Sequence, residues 1–310
     1  MPARAGRSLC DPFRNRLVLA GGCLLLLLIL SALTAPLWVK AGLLNPPNEQ
    51  LAAGLDDDGM PLPMGGRFPA GTDNLGRDVL SRVLHGTRVS LTVGVAAMLT
   101  ATGIGVVIGV LAGFRGGTLD LILMRFTEVN MTIPAILLAV AFAGVMNGQV
   151  LHLHPKGLPW HWLDVEVKRG VGSLFVIIGL VCWPGMVRVV RAQVMSVKER
   201  EYILASRALG ASDARLVFRH ILPNILPTVI VMAVMLTANT ILLEAGLGYL
   251  GIGVPPPTPT WGSMITEGQP YFITAPHLVL IPGVAIVLTV LSFNLLGQGL
   301  QEVLDPKRRP

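Results

Sequence analysis

Charge is scarce in this chain. Asp, Glu, Lys and Arg make up 14% of its 310 residues against 52% hydrophobic residues, and the mean hydropathy is +0.65. That is more apolar side chain than a soluble core of this length absorbs, so the composition excludes an ordinary globular enzyme and puts the chain in a membrane. Cysteine is equally sparse. Cys10, Cys23 and Cys182 fall in segments expected in the cytoplasm or the bilayer, where a disulfide is not expected and thiols act as small apolar groups. No Gly-Lys pair occurs anywhere, so there is no P-loop to cradle nucleotide phosphates. Ionisable residues are nearly absent from the middle of the apolar runs, where a proton- or sodium-coupled carrier usually keeps its ligand sites. A membrane enzyme would need a clustered acid, base or metal set, and apart from one histidine group none is visible. These absences point to a non-enzymatic membrane protein whose energy comes from elsewhere.

What is present is a series of long uncharged stretches. A hydrocarbon core takes about 20 residues to cross, and six runs qualify: Leu17 to Val39, Val89 to Phe114, Val129 to Leu151, Gly170 to Val187, Ile221 to Leu243 and His277 to Gln301. The first is too long for a cleavable signal and lacks a small-residue cleavage site, so it is expected to stay as a membrane helix. Six is even, and both ends therefore share a side. With residues 1–16 and 302–310 in the cytoplasm, Arg115, Arg125 and the cluster from Arg188 to Arg219 join them, about two thirds of the 24 Lys and Arg. Arg77, Arg82 and Arg88 are the exceptions, falling outside. The net charge of +6 is thus orientation charge, and it requires no nucleic-acid partner.

The long outer segment, residues 40–88, is rich in Pro and Gly and carries the acidic triplet Asp56, Asp57 and Asp58, a pattern of solvated turns. Its second half predicts a short interfacial helix capped by Asp78, with Arg82, His85 and Arg88 on the wet face, leading as an elbow into the second span. Between the third and fourth spans His152, His154 and His161 surround Trp160 and Trp162. Three histidines can bind a transition metal, yet no Cys supports them and paired Trp suits a membrane-interface belt, so no metal site is expected.

Within the spans, Gly105, Gly109 and Gly113 recur every four residues, leaving one helix stripe without side chains where another helix can pack closely. Pro134 and Pro184-Gly185 predict kinks in the third and fourth spans. Glu244 stands at the outer end of the fifth span, and Asp120, Arg125 and Glu128 at the cytoplasmic start of the third, Arg125 and Glu128 spaced to pair on one face. The loop 188–223 reads as two short helices. Glu199 to Leu209 has helical spacing and stops at Gly210; Ser212 then caps a second helix from Asp213 to Ile221, which Pro223 ends or kinks before the fifth span. Small residues at the turn let a partner come close, and Arg207, Arg215 and Arg219 can bond to its carboxylates.

On Gly210 and Leu222-Pro223 the segment resembles the EAA loop of binding-protein-dependent ABC importer permeases: Ala205 stands on the first Ala, with Leu204 in place of Glu, Ser206 in place of the second Ala and His220 in place of Ile. The wording Ala205-Ser-Arg-Ala-Leu-Gly-Ala-Ser212, Arg219-His-Ile-Leu-Pro-Asn224, Gly71-Thr-Asp-Asn-Leu-Gly-Arg-Asp78, Leu247-Gly-Tyr-Leu-Gly-Ile-Gly-Val254, Pro256-Pro-Thr-Pro-Thr-Trp-Gly262 and Leu304-Asp-Pro306 is similar to the peptide and nickel branch, most closely its C-type dipeptide and oligopeptide permeases. That resemblance implies an all-α polytopic protein of six transmembrane helices with the MetI-like fold, in a bacterial inner membrane. Its implied partners are a second homologous permease, two cytoplasmic ATP-binding subunits and an extracytoplasmic substrate-binding protein, with no cofactor. The implied coupling helix runs from Arg207 to Arg219, and the implied ATPase contacts are Ala205, Arg207, Ala208, Leu209, Gly210, Ala211, Arg215 and Arg219. Peptides are the expected cargo and nickel or another metal chelate the alternative; a channel or secondary carrier working without ATPases is a separate class.

Overall fold

The computed structural model describes residues 15–146, 150–152, 164–166 and 170–304. Five helices are long and apolar enough to cross a membrane, and a bent pair brings the possible spans to six. Helix α1 is Arg16–Lys40, α2 Val79–Arg115, α3 Gly117–Thr132, α4 Ala135–Met146 and α5 Val171–Lys198. A short antiparallel pair, β1 Val150–His152 with β2 Asp164–Glu166, lies between α4 and α5. Helix α6 is Glu201–Ala208; α7 Asp213–Arg215, a π-helical turn Leu216–Ile221 and α8 Leu222–Tyr249 follow end to end. Helix α9 is Trp261–Gly268 and α10 His277–Leu304.

Close approaches at glycine fix the relative directions of two helix pairs. Cβ atoms added at Gly105, Gly109 and Gly113 of α2 would meet Met186, Val190 and Val194 of α5 in that order, so α2 and α5 run parallel. Parallel neighbours require the intervening chain to return across the layer, and α3 and α4 lie in that segment. Gly21 meets Ser292 to Leu296 while Gly299 meets Leu17 and Val18, so α1 and α10 are antiparallel. Val110, Val190 and Val194 pack with Ile225 and Val229, whereas Leu174 and Ile178 pack with Leu247, which sets α8 against both α2 and α5. Asn15, the described starting point of the chain, donates from Nδ2 to Glu302 at 2.9 Å. Both described termini therefore share one end of the bundle with α6.

Three expectations need correction. The expected elbow before the second span is absent, because Asp78 caps a single 37-residue helix that runs through Val89 without a break; its carboxylate accepts from the Leu80 and Ser81 N–H groups. Nothing in Val79–Val89 forbids continuation, and burial of Val79 and Val83 fixes the first turns in the core. The third span is not one helix from Val129 to Leu151. It is the pair α3–α4, bent by 95° at Ile133-Pro134, since Pro134 disfavours the helical state of the residue before it; residues 147–149 of that run lie outside the described residues. Finally, Pro223 does not end a second loop helix. It stands in the first turn of α8 directly after the π turn, Asn224 Nδ2 donates to the His220 carbonyl at 2.6 Å, and Asp213–Tyr249 forms one 37-residue rod. Pro184 likewise stands inside a continuous α5.

Candidate functional site

Every residue of the expected coupling surface lies at the end of the bundle shared by the termini. Helix α6 has one buried side chain: Ile203 is fully buried in a cluster with Val194, Val197, Leu216 and Ile221. The rest of the helix faces outward, with Ala205, Arg207 and Ala208 exposed. Gly210 closes α6 at φ +85°, a left-handed conformation that glycine adopts without a Cβ penalty. Its N–H donates to the Arg207 carbonyl at 3.0 Å and that of Ala211 to the Ser206 carbonyl at 3.1 Å, the bond pair of a Schellman stop. Leu209 is thereby held at the tip, 89% exposed. Ser212 Oγ accepts from the Arg215 N–H at 3.4 Å and starts the next rod.

A hollow of about 380 Å³ between the two arms is lined by Ser206, Leu209, Ala211, Arg215, Arg219 and His220. The turn thus presents an apolar knob beside cations. Arg207 is the exception among the cations: its guanidinium lies 5.6 Å from the Phe114 ring centroid, tying α6 to the end of α2. Lys198 does the same for α5, donating to the carbonyls of Gly113 and Phe114 at 3.1 and 3.2 Å, which α2 cannot satisfy internally.

The opposite end carries a feature that the sequence did not disclose. Asp73 accepts through Oδ1 from the Leu75 and Arg77 N–H groups and through Oδ2 from Arg77 Nε at 2.6 Å. Glu267 of α9 receives both Arg77 Nη2, at 2.6 Å, and Arg82 Nη2, at 2.8 Å, while Arg82 Nε lies 3.4 Å from Asp73. Arg82, expected on a wet face, is 1% exposed. Four charges of zero sum thus join the 71–78 turn, α2 and α9. Replacing Glu267 with Ala leaves two guanidinium groups facing one carboxylate, a loss on the order of 3 kcal/mol for a mostly buried pair. The expected result is a lower unfolding midpoint in detergent, by several degrees, with Arg88→Ala as the exposed control.

Glu244, expected at an outer helix end, is fully buried in α8 beside the hydroxyls of Ser90 and Thr260. Arg125 and Glu128 pair at 3.0 Å in the open. His154, His161, Trp160 and Trp162 lie outside the described residues, as does Cys10; no group of metal-binding side chains occurs among the described ones.

The sequence model of the binding-protein-dependent transport system inner membrane component matches residues 105–310, two thirds of the chain. The chain belongs to this family. It is 37% identical over 294 residues to the di/tripeptide transport system permease protein DppC of Pseudomonas aeruginosa, covering 94% of this chain and 89% of that protein. It is 34% identical over 303 residues to the oligopeptide transport system permease protein OppC of Bacillus subtilis, covering 95% and 87%. A solved inward-facing structure of the MetNI methionine ABC transporter shares the fold at TM-score 0.57 and 19% identity, over 72% of this chain and 97% of that one. The family member described here is a multi-pass membrane component of a transport system, all-helical in its spans, with the MetI-like architecture.

Proposed function

We propose that this chain is one permease subunit of an ABC importer for di- and oligopeptides, driven by two separate ATPases that dock on the α6–Gly210–α7 turn. The observation that carries the reading is that turn. It projects a nearly fully exposed Leu209 and the cations Arg215 and Arg219 from the end of the bundle where the basic residues gather. A soluble partner of opposite charge fits it, whereas a lipid-facing loop would not hold a cationic hollow in a rigid Schellman stop. The relatives named for peptide transport supply the cargo class.

Orientation follows from charge. Arg77 and Arg82 form ion pairs with Asp73 and Glu267, and the larger number of Lys and Arg residues gathers at the other end. This supports a cytoplasmic position for the termini and α6 and an external position for α9, where an extracytoplasmic binding protein delivers cargo. A second, homologous permease completes the path between them. Inverting a 1:99 conformational equilibrium to 99:1 takes about 5.5 kcal/mol of differential interaction, which nucleotide-driven movement of a rigid docked turn supplies and a single exposed ion pair does not.

The test is purification in mild detergent together with uptake in a deletion strain. The expected result is that a second permease and two ATPases accompany the chain, and that the strain fails to grow on peptides as sole amino-acid source while accumulating nickel normally. Transport by the isolated chain without nucleotide overturns the reading, as does loss of nickel accumulation with peptide uptake intact.

A further inference from the structure

The broken span is an arm with a joint at each end. At its start, Gly116 and Gly117 take φ +68° and +60°, and a Cβ at either would meet nothing within 4 Å. Two successive residues in the left-handed region with open space around them make a swivel between α2 and α3. At its far end Ile133-Pro134 turns α3 into α4 by 95°. Between these joints α3 has little grip on the bundle: Leu121, Ile122, Phe126 and Val129 are each more than half exposed, and Thr127 is its one buried residue.

Met124 packs in a cluster with Ala101 of α2 and with Trp183 and Val187 of α5, and the polar and ring contacts that tie α3 to a neighbour reach α5. Asp120 accepts from Arg191 through both oxygens, from Nε at 2.5 Å and from Nη2 at 2.6 Å. Phe126 stacks on Trp183 with ring centroids 5.7 Å apart, and Arg188 Nη1 lies 3.9 Å from Met131 Sδ. Of these the two-point carboxylate–guanidinium pair is the strong and directional one. It also sits closest to the coupling end. Arg191 is two helical turns before Lys198, the residue that caps α2 and after which the chain enters α6.

We propose that Asp120 and Arg191 are positioning residues for transport: their clamp makes α3 follow the packed α2–α5 pair when the coupling end moves, across a Gly116-Gly117 swivel that would otherwise let it lag. The inference rests on the docking reading above and adds the route by which docking reaches the span. The helical rod of α5 transmits a displacement of α6 rigidly over two turns. Without the clamp that displacement leaves α3 behind, because the covalent link to α2 yields at the glycines.

The test uses the complete importer in proteoliposomes, with Asp120→Asn, Arg191→Gln and the exchange Asp120→Arg with Arg191→Asp. The readout is peptide translocated per ATP hydrolysed, alongside the amount of assembled complex. Each single variant is expected to assemble and hydrolyse ATP like the parent yet to translocate about tenfold less peptide per ATP, the scale of a charged hydrogen bond. The exchange is expected to recover most of that loss. An unchanged ratio in the single variants overturns the proposal. So does a fall in transport that merely tracks less assembled complex with no recovery on exchange, the mark of a static brace. Co-purification of the ATPases with the unaltered chain tests docking separately, so a failure of the clamp and a failure of the docking reading are told apart.

Discussion

Gly109→Leu is expected to remove the protein from the membrane almost completely. A Cβ at Gly109 would stand 2.7 Å from the Cβ of Val190 and 2.9 Å from the carbonyl oxygen of Val187, and one of those atoms is backbone. Side chains can rotate away from an intruder; a carbonyl inside a continuous helix cannot. The whole of α5 must therefore move outward, and the neighbouring approaches at Gly105 and Gly113 open with it, because all three lie on one seam. Overpacking one core position typically costs about 1–3 kcal/mol. Displacing a seam of three such contacts exceeds that and approaches the total stability of about 5–15 kcal/mol that a domain possesses. Immunodetection of the membrane fraction should show roughly a tenfold or greater loss, as expected when about 1.4 kcal/mol or more is removed from a marginal equilibrium. Gly103→Leu provides the contrast, since a Cβ there meets nothing within 4 Å, and it should accumulate normally. Equal abundance of the two variants would contradict the seam.

That seam was legible in advance because its signal is local and periodic: three glycines at four-residue spacing define a face whatever lies opposite. The spans were legible for a similar reason, since a run without charge long enough to cross the bilayer leaves few alternatives. Gly210 and Ser212 were readable as punctuation because a helix stop and a helix cap are decided by the residues themselves. Legibility ended where the partner is distant in sequence. Arg82 follows helical spacing with His85 and Arg88 and reads as wet, yet its carboxylate, Glu267, is 185 positions away. Burial there is decided by α9 folding back, which no local pattern announces. The Asp120–Arg191 clamp spans 71 positions and was hidden in the same way.

Proline misled in both directions, and the two cases differ in what surrounds them. Pro134 was read as a kink inside one span, but it follows Ile133 in an extended conformation and divides the run into two helices. Pro223 was read as ending or kinking the helix before the fifth span, but it stands in the first turn of α8 directly after the π turn, where a missing N–H costs least, and the Asn224 amide bonds the His220 carbonyl beside it. A proline removes one hydrogen bond in either case; the outcome depends on whether a neighbour replaces it. Through the continuous Asp213–Tyr249 rod, the turn proposed above as the docking surface connects to the interior of the bundle without a flexible joint.

The same rod sets the expectation for Gly210→Val. Here no clash arises, for a Cβ at Gly210 meets nothing within 4 Å. The penalty is in the backbone. At φ +85° an L side chain is strained by about 1–2 kcal/mol, and a β-branched one lies at the unfavourable end. Releasing that strain undoes the Schellman stop, frees the last turn of α6 and moves Leu209 and the hollow beside Arg215 and Arg219, while Ile203 still anchors the first turn in the core. The chain should therefore insert and accumulate as before, but peptide uptake should fall by roughly tenfold or more and ATPase subunits should be recovered in lower yield, because a docking surface strained by even 1.4 kcal/mol binds tenfold less tightly. Gly210→Asn is the discriminating companion, since Asn tolerates the left-handed region and closes helices in glycine's place. It should retain most of the uptake that Val abolishes. If Val and Asn transport alike at equal abundance, the shape of this turn is not what the ATPases hold, and the docking surface must be sought elsewhere on the same end of the bundle.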